Sequence, residues 1–488
     1  MIFGRVKPLD AILATAEKKS LTRTLGALQL TMLGIGAIIG TGIFVLTAEA
    51  ANKAGPAMMI SFIIAAVVCA LAALCYAELA SMVPVSGSAY TYSYATFGEI
   101  VAWIVGWALV LEYAIAASAV SVGWSGYMVS LAEEIFRLDI PNTFVKGPFD
   151  DVGPGEVPGL INIPAMLIGL VCMSLLIVGT KESARFNAVL VAIKVSALIL
   201  FLVLALPAIN AANFEPFSPN GFFAKEVMDP ISNNMVTVGV AAAAASIFFA
   251  YVGFDAVSTA AEETINPQRN IPIGLIGSLG ICTVIYLLVA AGAIGSIGAQ
   301  PGGALSQSDD ALAFVLREIG QGWAGDLVAI AAGIALPSVI LMMMFGQTRI
   351  FFVMARDGLL PDIFSKLHPK YGTPHVVTIC TGVFVALFAA LFPVGKLADI
   401  SNSGTLFAFF TVAVGVMILR RTDPTRHRPF RTPLVWLLCP LAAAGCVFLF
   451  SQLSGYTELM FFGWTMIGLV VYFSYSRSRS HVGRGVTE

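Results

Sequence analysis

The chain has 488 residues, of which 58% are hydrophobic and only 11% charged, with a formal net charge of −2. Soluble domains carry about 25% charged residues, so this chain cannot cover the roughly three soluble domains that its length would suggest. Its apolar content is far too high for disorder, which leaves a polytopic membrane protein. Twelve apolar runs are expected to span, at about 30–52, 57–82, 99–131, 160–180, 186–208, 236–261, 273–296, 326–354, 375–393, 398–419, 432–451 and 459–475. Each is near the roughly 20 residues that cross the hydrocarbon core as a helix, and a transmembrane barrel would show short alternating strands instead. The fold class is therefore all-α integral membrane.

Residues 1–29 form an N-terminal segment carrying Lys18, Lys19 and Arg23 ahead of the first run. That run is long enough to span and eleven more follow, so no cleavable signal peptide is expected. Twenty of the 27 Lys and Arg fall on the side that holds both termini, six on the other side, and Lys194 inside a span. The excess places both termini in the cytoplasm. The opposite loops are acidic, with Glu133, Glu134, Asp139, Asp150, Asp151 and Glu156. The basic 420–431 loop reads as a topology signal at the anionic inner leaflet, and no nucleic-acid partner is expected. All seven cysteines lie in apolar runs without a CxxC pair, as small packing residues do.

Two runs are peculiar in matching ways. The first holds GIGAIIGTGIF, Gly34 to Phe44, and the sixth holds FFAYVGFDAVSTAAEE, Phe248 to Glu263, with Gly253 and Asp255 near its middle. Being five spans apart, they suggest two equivalent halves of opposite orientation. One reading of the glycines is close helix packing through small-xxx-small pairs such as Gly36 and Gly40. The other is a break in each helix. Unpaired amides of Thr41, Gly42 and Ile43 would then hold a carboxylate. The carbonyls of Phe249, Ala250 and Val252 would accept from an ammonium group, so that together the breaks suit an α-amino acid backbone.

Four ionisable residues lie at membrane depth: Glu78, Glu112, Lys194 and Asp255. A charge at the bilayer centre costs about 2.5–3.5 kcal/mol on insertion scales, so each needs a partner, water or a protonation change. Glu78, near the end of its span, can reach a loop base. Glu112 and Lys194 suit either a structural ion pair or a functional role, and Asp255 either a cap on the second half of a broken helix or a pocket residue. A buried amine at Lys194 can gain or lose a proton as a cavity opens and closes, and when charged it fills space that a sodium ion would need.

Several long motifs, in order, resemble the amino acid–polyamine–organocation (APC) superfamily, and within it the bacterial relatives of cationic amino acid transporters. They are GIGAIIGTGIF, CYAELASMVPVSGSAYTYSYATFGE from Cys75, KESARFNAVLVAIKV from Lys181, FFAYVGFDAVSTAAEETINPQRNIP from Phe248, GQTRIFFVMARDGLLP from Gly346 and ISNSGTLFAF from Ile400. The resemblance implies a LeuT-type fold: inverted repeats at 30–208 and 236–419, two extra helices at 432–475 and a cytoplasmic tail at 476–488. It implies that Ile38, Thr41 and Gly42 face a substrate carboxylate, and that Phe249, Ala250 and Val252 offer carbonyls, with Phe249 also an aromatic gate. Asp255, Tyr286 and Glu112 match polar pocket positions, and a methionine among Met342, Met343 and Met344, Met343 foremost, limits side-chain size. Lys194 matches the lysine that replaces a sodium site in proton-coupled members. The implied activity is proton-coupled import of an L-amino acid across a bacterial inner membrane by a monomer, with no cofactor or metal and H+ rather than Na+ as coupling ion. The insertion Pro141 to Gly159 departs from the family pattern.

Two other readings of transport and binding stay open, an amino acid exchanger and a non-transporting amino acid receptor. An enzyme is not expected: the four histidines lie in loops, span edges or the tail, so paired haem ligands at depth are missing, and neither HExxH nor a P-loop occurs. Cationic and small neutral substrates both remain compatible with the residues.

Overall fold

A computed structural model describes residues 5–9, 25–85, 87–137, 140–150, 157–179, 184–228 and 235–485. Lys18, Lys19, Arg23, Asp139, Asp151, Glu156 and the Lys181 start of the fifth-span motif lie outside them. Among the described residues, eight helices are long and apolar enough to cross a membrane, and four apolar helices of 10–17 residues accompany them. The apolar runs read from the sequence fall on these helices.

The first run is divided into α1 (Ala27–Ile38), α2 (Thr41–Phe44) and α3 (Leu46–Ala54), and a turn at Gly55 leads to α4 (Met58–Met82). A short buried helix, α5 (Ser88–Thr96), precedes α6 (Glu99–Val110), which continues through one π turn at Leu111–Ile115 into α7 (Ala116–Phe136). After α8 (Asn142–Val145) come α9 (Ile163–Val178), started by the Asn162 side chain on the Ala165 amide, and α10 (Ala184–Ala205). A hairpin that the apolar pattern did not announce follows, β1 (Lys225–Met228) antiparallel to β2 (Met235–Val238) with Lys225 opposite Val238. The sixth run becomes α11 (Val240–Ile247), a 3-10 turn at Phe248–Tyr251 and α12 (Ala256–Thr259). Then come α13 (Pro267–Ile297), α14 (Ala311–Glu318), α15 (Gly322–Arg356), α16 (His375–Leu391), α17 (Val394–Thr422), α18 (Val435–Phe450) and α19 (Gly455–Val471).

Burial orders these elements. The apolar window of Val240–Ser258 is 100% enclosed by protein and that of Gly455–Arg479 only 22%, which puts the sixth run at the centre and the last at the rim. Helices that are apolar all round face either lipid or core, and burial tells the two apart. At the rim, α19 is pinned to α6 by a reciprocal pair of indole bonds: Trp107 Nε1 donates to the Trp464 carbonyl and Trp464 Nε1 to the Trp107 carbonyl, each at 2.8 Å.

The described N-terminal stretch and the C-terminal end of the last apolar run lie on one face, hereafter the terminal face, because Arg5 Nη1 donates to the Arg477 carbonyl at 3.0 Å. Glu78 has the loop-base partner expected of it. Its carboxylate takes Arg420 Nε and Nη2 at 2.7 and 2.8 Å, the Thr432 amide at 2.8 Å, and lies 3.3 Å from Arg428 Nε. The described part of the Pro141 to Gly159 insertion is stitched to the end of α16: Phe149 stacks on Phe392 at 4.7 Å and its amide reaches the Leu391 carbonyl.

Candidate functional site

The glycine cluster of the first run is a break. α1 ends at Ile38, Ile39 is extended, Gly40 is extended at φ −151°, and α2 restarts at Thr41. In the sixth run Val252 is extended and Gly253 has φ +112°, in the left-handed region that only glycine enters freely. The two breaks touch. A methyl group on Gly42 would run into the Ala250 Cα, and one on Gly253 would come within 2.9 Å of the Ala37 carbonyl oxygen. Glycine therefore serves both readings here: it lets the helices break, and it lets the broken backbones meet.

The freed backbone groups are partly reclaimed. In a continuous helix Gly36 would accept from the amide of Gly40; here Lys194 Nζ donates to the Gly36 carbonyl at 2.9 Å. A cation at a helix C-terminus also suits the helix dipole. The Tyr286 hydroxyl donates to the Ile38 carbonyl at 2.8 Å, so Tyr286 braces the first break, its ring against Phe62 and Tyr251. Past the break, the Ile43 amide is already bonded to the Gly40 carbonyl at 3.3 Å, and the Phe249 carbonyl accepts from the Val252 amide at 3.2 Å. Both groups had been expected free. Among the described residues, the amides of Thr41 and Gly42 and the carbonyls of Ala250 and Val252 have no hydrogen bond, which leaves two donors and two acceptors side by side for a ligand. Phe249, in the sixth-run break, and Met343 of α15 are both buried.

Asp255 and Glu112 are fully buried. Tyr113 donates its hydroxyl to Asp255 Oδ2 at 2.7 Å. Glu112 sits in the π turn, a distortion frequent at functional sites. Both of its carboxylate oxygens are without a hydrogen-bond partner among the described residues, so the ion pair with Lys194 that the sequence allowed is not formed. No group of three His, Cys, Asp or Glu side chains suited to a metal occurs among them.

Sequence reasoning used the ISNSGT stretch of α17 only as a motif of the resemblance and gave its side chains no role. Ser401 donates to the Glu112 carbonyl at 2.9 Å and Asn402 to the Ala245 carbonyl at 2.7 Å, joining the π turn to the helix ahead of the sixth-run break. It also missed a buried group at the face opposite the termini. Lys53 Nζ donates to Ser246 Oγ at 2.6 Å and pairs with Asp399 and Glu49, each at 3.2 Å. The signal was available: Lys53 and Asp399 each stand at the end of an apolar run.

A bundle of apolar helices with two touching breaks at its centre is the architecture of a membrane transporter rather than an enzyme. The chain belongs to the amino acid permease family, part of the APC superfamily, whose model matches residues 25–475. It is 44% identical over 486 residues to the branched-chain amino acid permease BcaP of Bacillus subtilis (strain 168), covering 99% of each chain. It is 42% identical over 478 residues to the methylthioribose transporter of the same organism, covering 98% of each. It is 36% identical over 425 residues to cationic amino acid transporter 4 of Homo sapiens, covering 86% of this chain and 62% of that one.

Proposed function

We propose that this protein is a proton-coupled importer of neutral L-amino acids that works by alternating access. The observation that carries the reading is the contact of the two breaks at Gly42 and Ala250, where the amides of Thr41 and Gly42 and the carbonyls of Ala250 and Val252 have no hydrogen bond among the described residues. Two donors at a helix start suit a carboxylate, and two carbonyls suit an ammonium, so the pair reads the backbone of an amino acid. Relatives named for branched-chain substrates, at 44% identity and, in Lactococcus lactis, at 30% over 98% of this chain, favour an aliphatic side chain. Lys194 is the coupling residue in this reading: bonded to Gly36, it ties its own charge to the geometry of the first break. The architecture that goes with it has twelve spans, with inverted repeats at 30–208 and 236–419, helices at 432–475, and both termini in the cytoplasm of a bacterial inner-membrane monomer.

The test is uptake of radiolabelled leucine into proteoliposomes under an imposed pH gradient without sodium, with arginine and methylthioribose as competitors. Leucine accumulation that follows the gradient and is lost in Lys194→Ala is expected. Strict sodium dependence, or wild-type accumulation in Lys194→Ala, overturns proton coupling through this lysine. No net uptake without internal counter-substrate would make the protein an exchanger. Inhibition by methylthioribose alone would move the substrate class to that of the second relative.

A further inference from the structure

We infer that the foot of α19, where the tail folds back on the N-terminal stretch, is a binding site for the headgroup of an anionic phospholipid. α19 is the least enclosed of the eight long apolar helices, and past Val471 it continues through a π turn at Tyr472–Ser476 to Arg479. Its outer stripe is Leu459, Phe462, Met466, Val470 and Phe473, each between 56% and 70% exposed. Residues three or four apart share one face of a helix. No charged residue interrupts the chain between Glu458 and Arg477. Arg477 comes next on the stripe, its guanidinium 6.0 Å from the centre of the Phe473 ring. It stands about 27 Å along the helix from Leu459, close to the roughly 30 Å of a hydrocarbon core. With the stripe in lipid, Arg477 lies at the depth where the phosphates begin.

Three more arginines gather there. Arg479 lies over the Tyr475 ring at 4.7 Å, with Nη1 3.4 Å from the Tyr475 hydroxyl. Arg5 Nη1 reaches the Arg477 carbonyl at 3.0 Å, and Arg484 Nε donates to the Ser478 carbonyl at 3.2 Å. Glu99 is buried and already engaged, by Arg5, Tyr94, Tyr472 and Ser480. Among the described residues no carboxylate pairs with Arg477, Arg479 or Arg484, and all three are exposed. The cluster therefore carries uncompensated positive charge.

An arginine offers its N–H donors in a planar fork that takes a phosphate two at a time. A ring under the guanidinium holds it by its face and leaves that fork free. The backbone beneath is fixed as well: Ser480 donates to Glu99, and the His481 amide donates to the Asp357 carbonyl at 3.1 Å. Little ordering is then left for a ligand to supply. Anionic leaflets attract such clusters, and the attraction grows with each basic residue near the surface. The stripe selects the source of the phosphate. One tethered to acyl chains covers both the arginines and the apolar face, whereas a soluble phosphate covers only the first. The site needs α19 to lie in the membrane and asks nothing of the substrate or the coupling ion, so it stands or falls apart from the transport reading.

The experiment takes the full-length protein in detergent, stripped of lipid, and titrates in dioleoyl phosphatidylglycerol or dioleoyl phosphatidylcholine while the thermal midpoint is read. A ligand that binds the folded form raises the midpoint with its concentration. Phosphatidylglycerol is expected to raise it well above the value reached with phosphatidylcholine. Arg477→Gln together with Arg479→Gln should raise the phosphatidylglycerol concentration for half the shift by roughly tenfold, as the loss of two cations at an anionic surface does. Arg137→Gln together with Lys225→Gln, which removes two exposed cations elsewhere, should leave that concentration unchanged. Native mass spectrometry of the same samples should count fewer phosphatidylglycerol molecules on the first variant than on the wild type. Equal shifts with the two lipids, equal weakening by both pairs of substitutions, or equal counts on wild type and first variant would each overturn the site. A shift of the same size from sn-glycerol 3-phosphate overturns it too, because a bare phosphate would then suffice.

Discussion

Gly42 makes the tightest demand of any residue at the breaks, because the atoms a side chain would meet there are Ala250 Cα and N, which belong to backbone and cannot rotate away. Gly42→Ala is therefore expected to push the two breaks apart and abolish leucine uptake. Gly277→Ala, whose new methyl would meet only Thr31 side-chain atoms at 3.5 Å, should transport normally and serves as the control. Equal uptake by the two variants would show that the breaks need not touch. Glu78 makes a different demand. Its side chain and that of Arg428 are each 2% exposed, so Glu78→Ala leaves buried guanidinium charge uncompensated. Breaking a buried pair from one side costs about 3–5 kcal/mol, and a clear fall in the thermal midpoint of the detergent-solubilised protein, with uptake per folded molecule retained, is the expected signature. The sequence disclosed Gly42 and Glu78 because a glycine cluster or a lone charge inside an apolar run stands out locally. It did not disclose Tyr113, which meets Asp255 across 142 positions of sequence, since nothing local marks a tyrosine as a partner.

Among the elements, the loop between α7 and α9 shows how an outer segment is tied down and where pH enters. Asp150 accepts from the Gly147 amide, and burial pushes its carboxyl up to about 6, with Asp309 acting in the same direction and Lys146 and Lys396 opposing. An ordinary aspartate titrates near 3.9, so the docked loop favours the protonated form. The stabilisation is complete below about pH 4 and is lost as pH rises through about 6. Hydrogen exchange of residues 140–150, corrected for intrinsic rate, should thus speed up between those limits, and Asp150→Asn should flatten the response. A pH profile unchanged by that substitution would place the sensitivity elsewhere. The hairpin of β1 and β2 escaped the sequence reading because two four-residue strands between apolar runs carry too few alternations to register against a loop. The breaks were readable as elements, but which freed groups would be reclaimed was not: Lys194 and Tyr286 return to the first break from α10 and α13, and only the packing of those helices decides it.

At the scale of the whole molecule, ion pairs fasten elements together on both faces of the bundle. On the terminal face Lys7 reaches Asp357 at 2.9 Å, Tyr90 donates to the same carboxylate at 2.7 Å, and the His481 amide bonds the Asp357 carbonyl, so the N-terminal stretch, α5, the end of α15 and the tail are joined. On the opposite face Lys53 and Ser246 join α3 and α11 to Asp399 of α17. In the alternating-access cycle proposed above these two fastenings would open in turn, the substrate shifting the equilibrium by its differential affinity for the two states. Weakening one fastening should then bias the molecule toward opening on that face. A cysteine replacing Ala261, 1% exposed in the terminal half of the sixth run, reports the opening in a Cys380→Ser background, since Cys380 is the exposed native thiol. Asp357→Asn is expected to raise the rate at which a membrane-impermeant thiol reagent, applied from the terminal face, labels that cysteine, and Lys53→Met to leave the rate unchanged or lower it. Equal acceleration by both substitutions would mean that they loosen the bundle as a whole, and no acceleration by Asp357→Asn would mean that the terminal-face pair only ties down the chain ends.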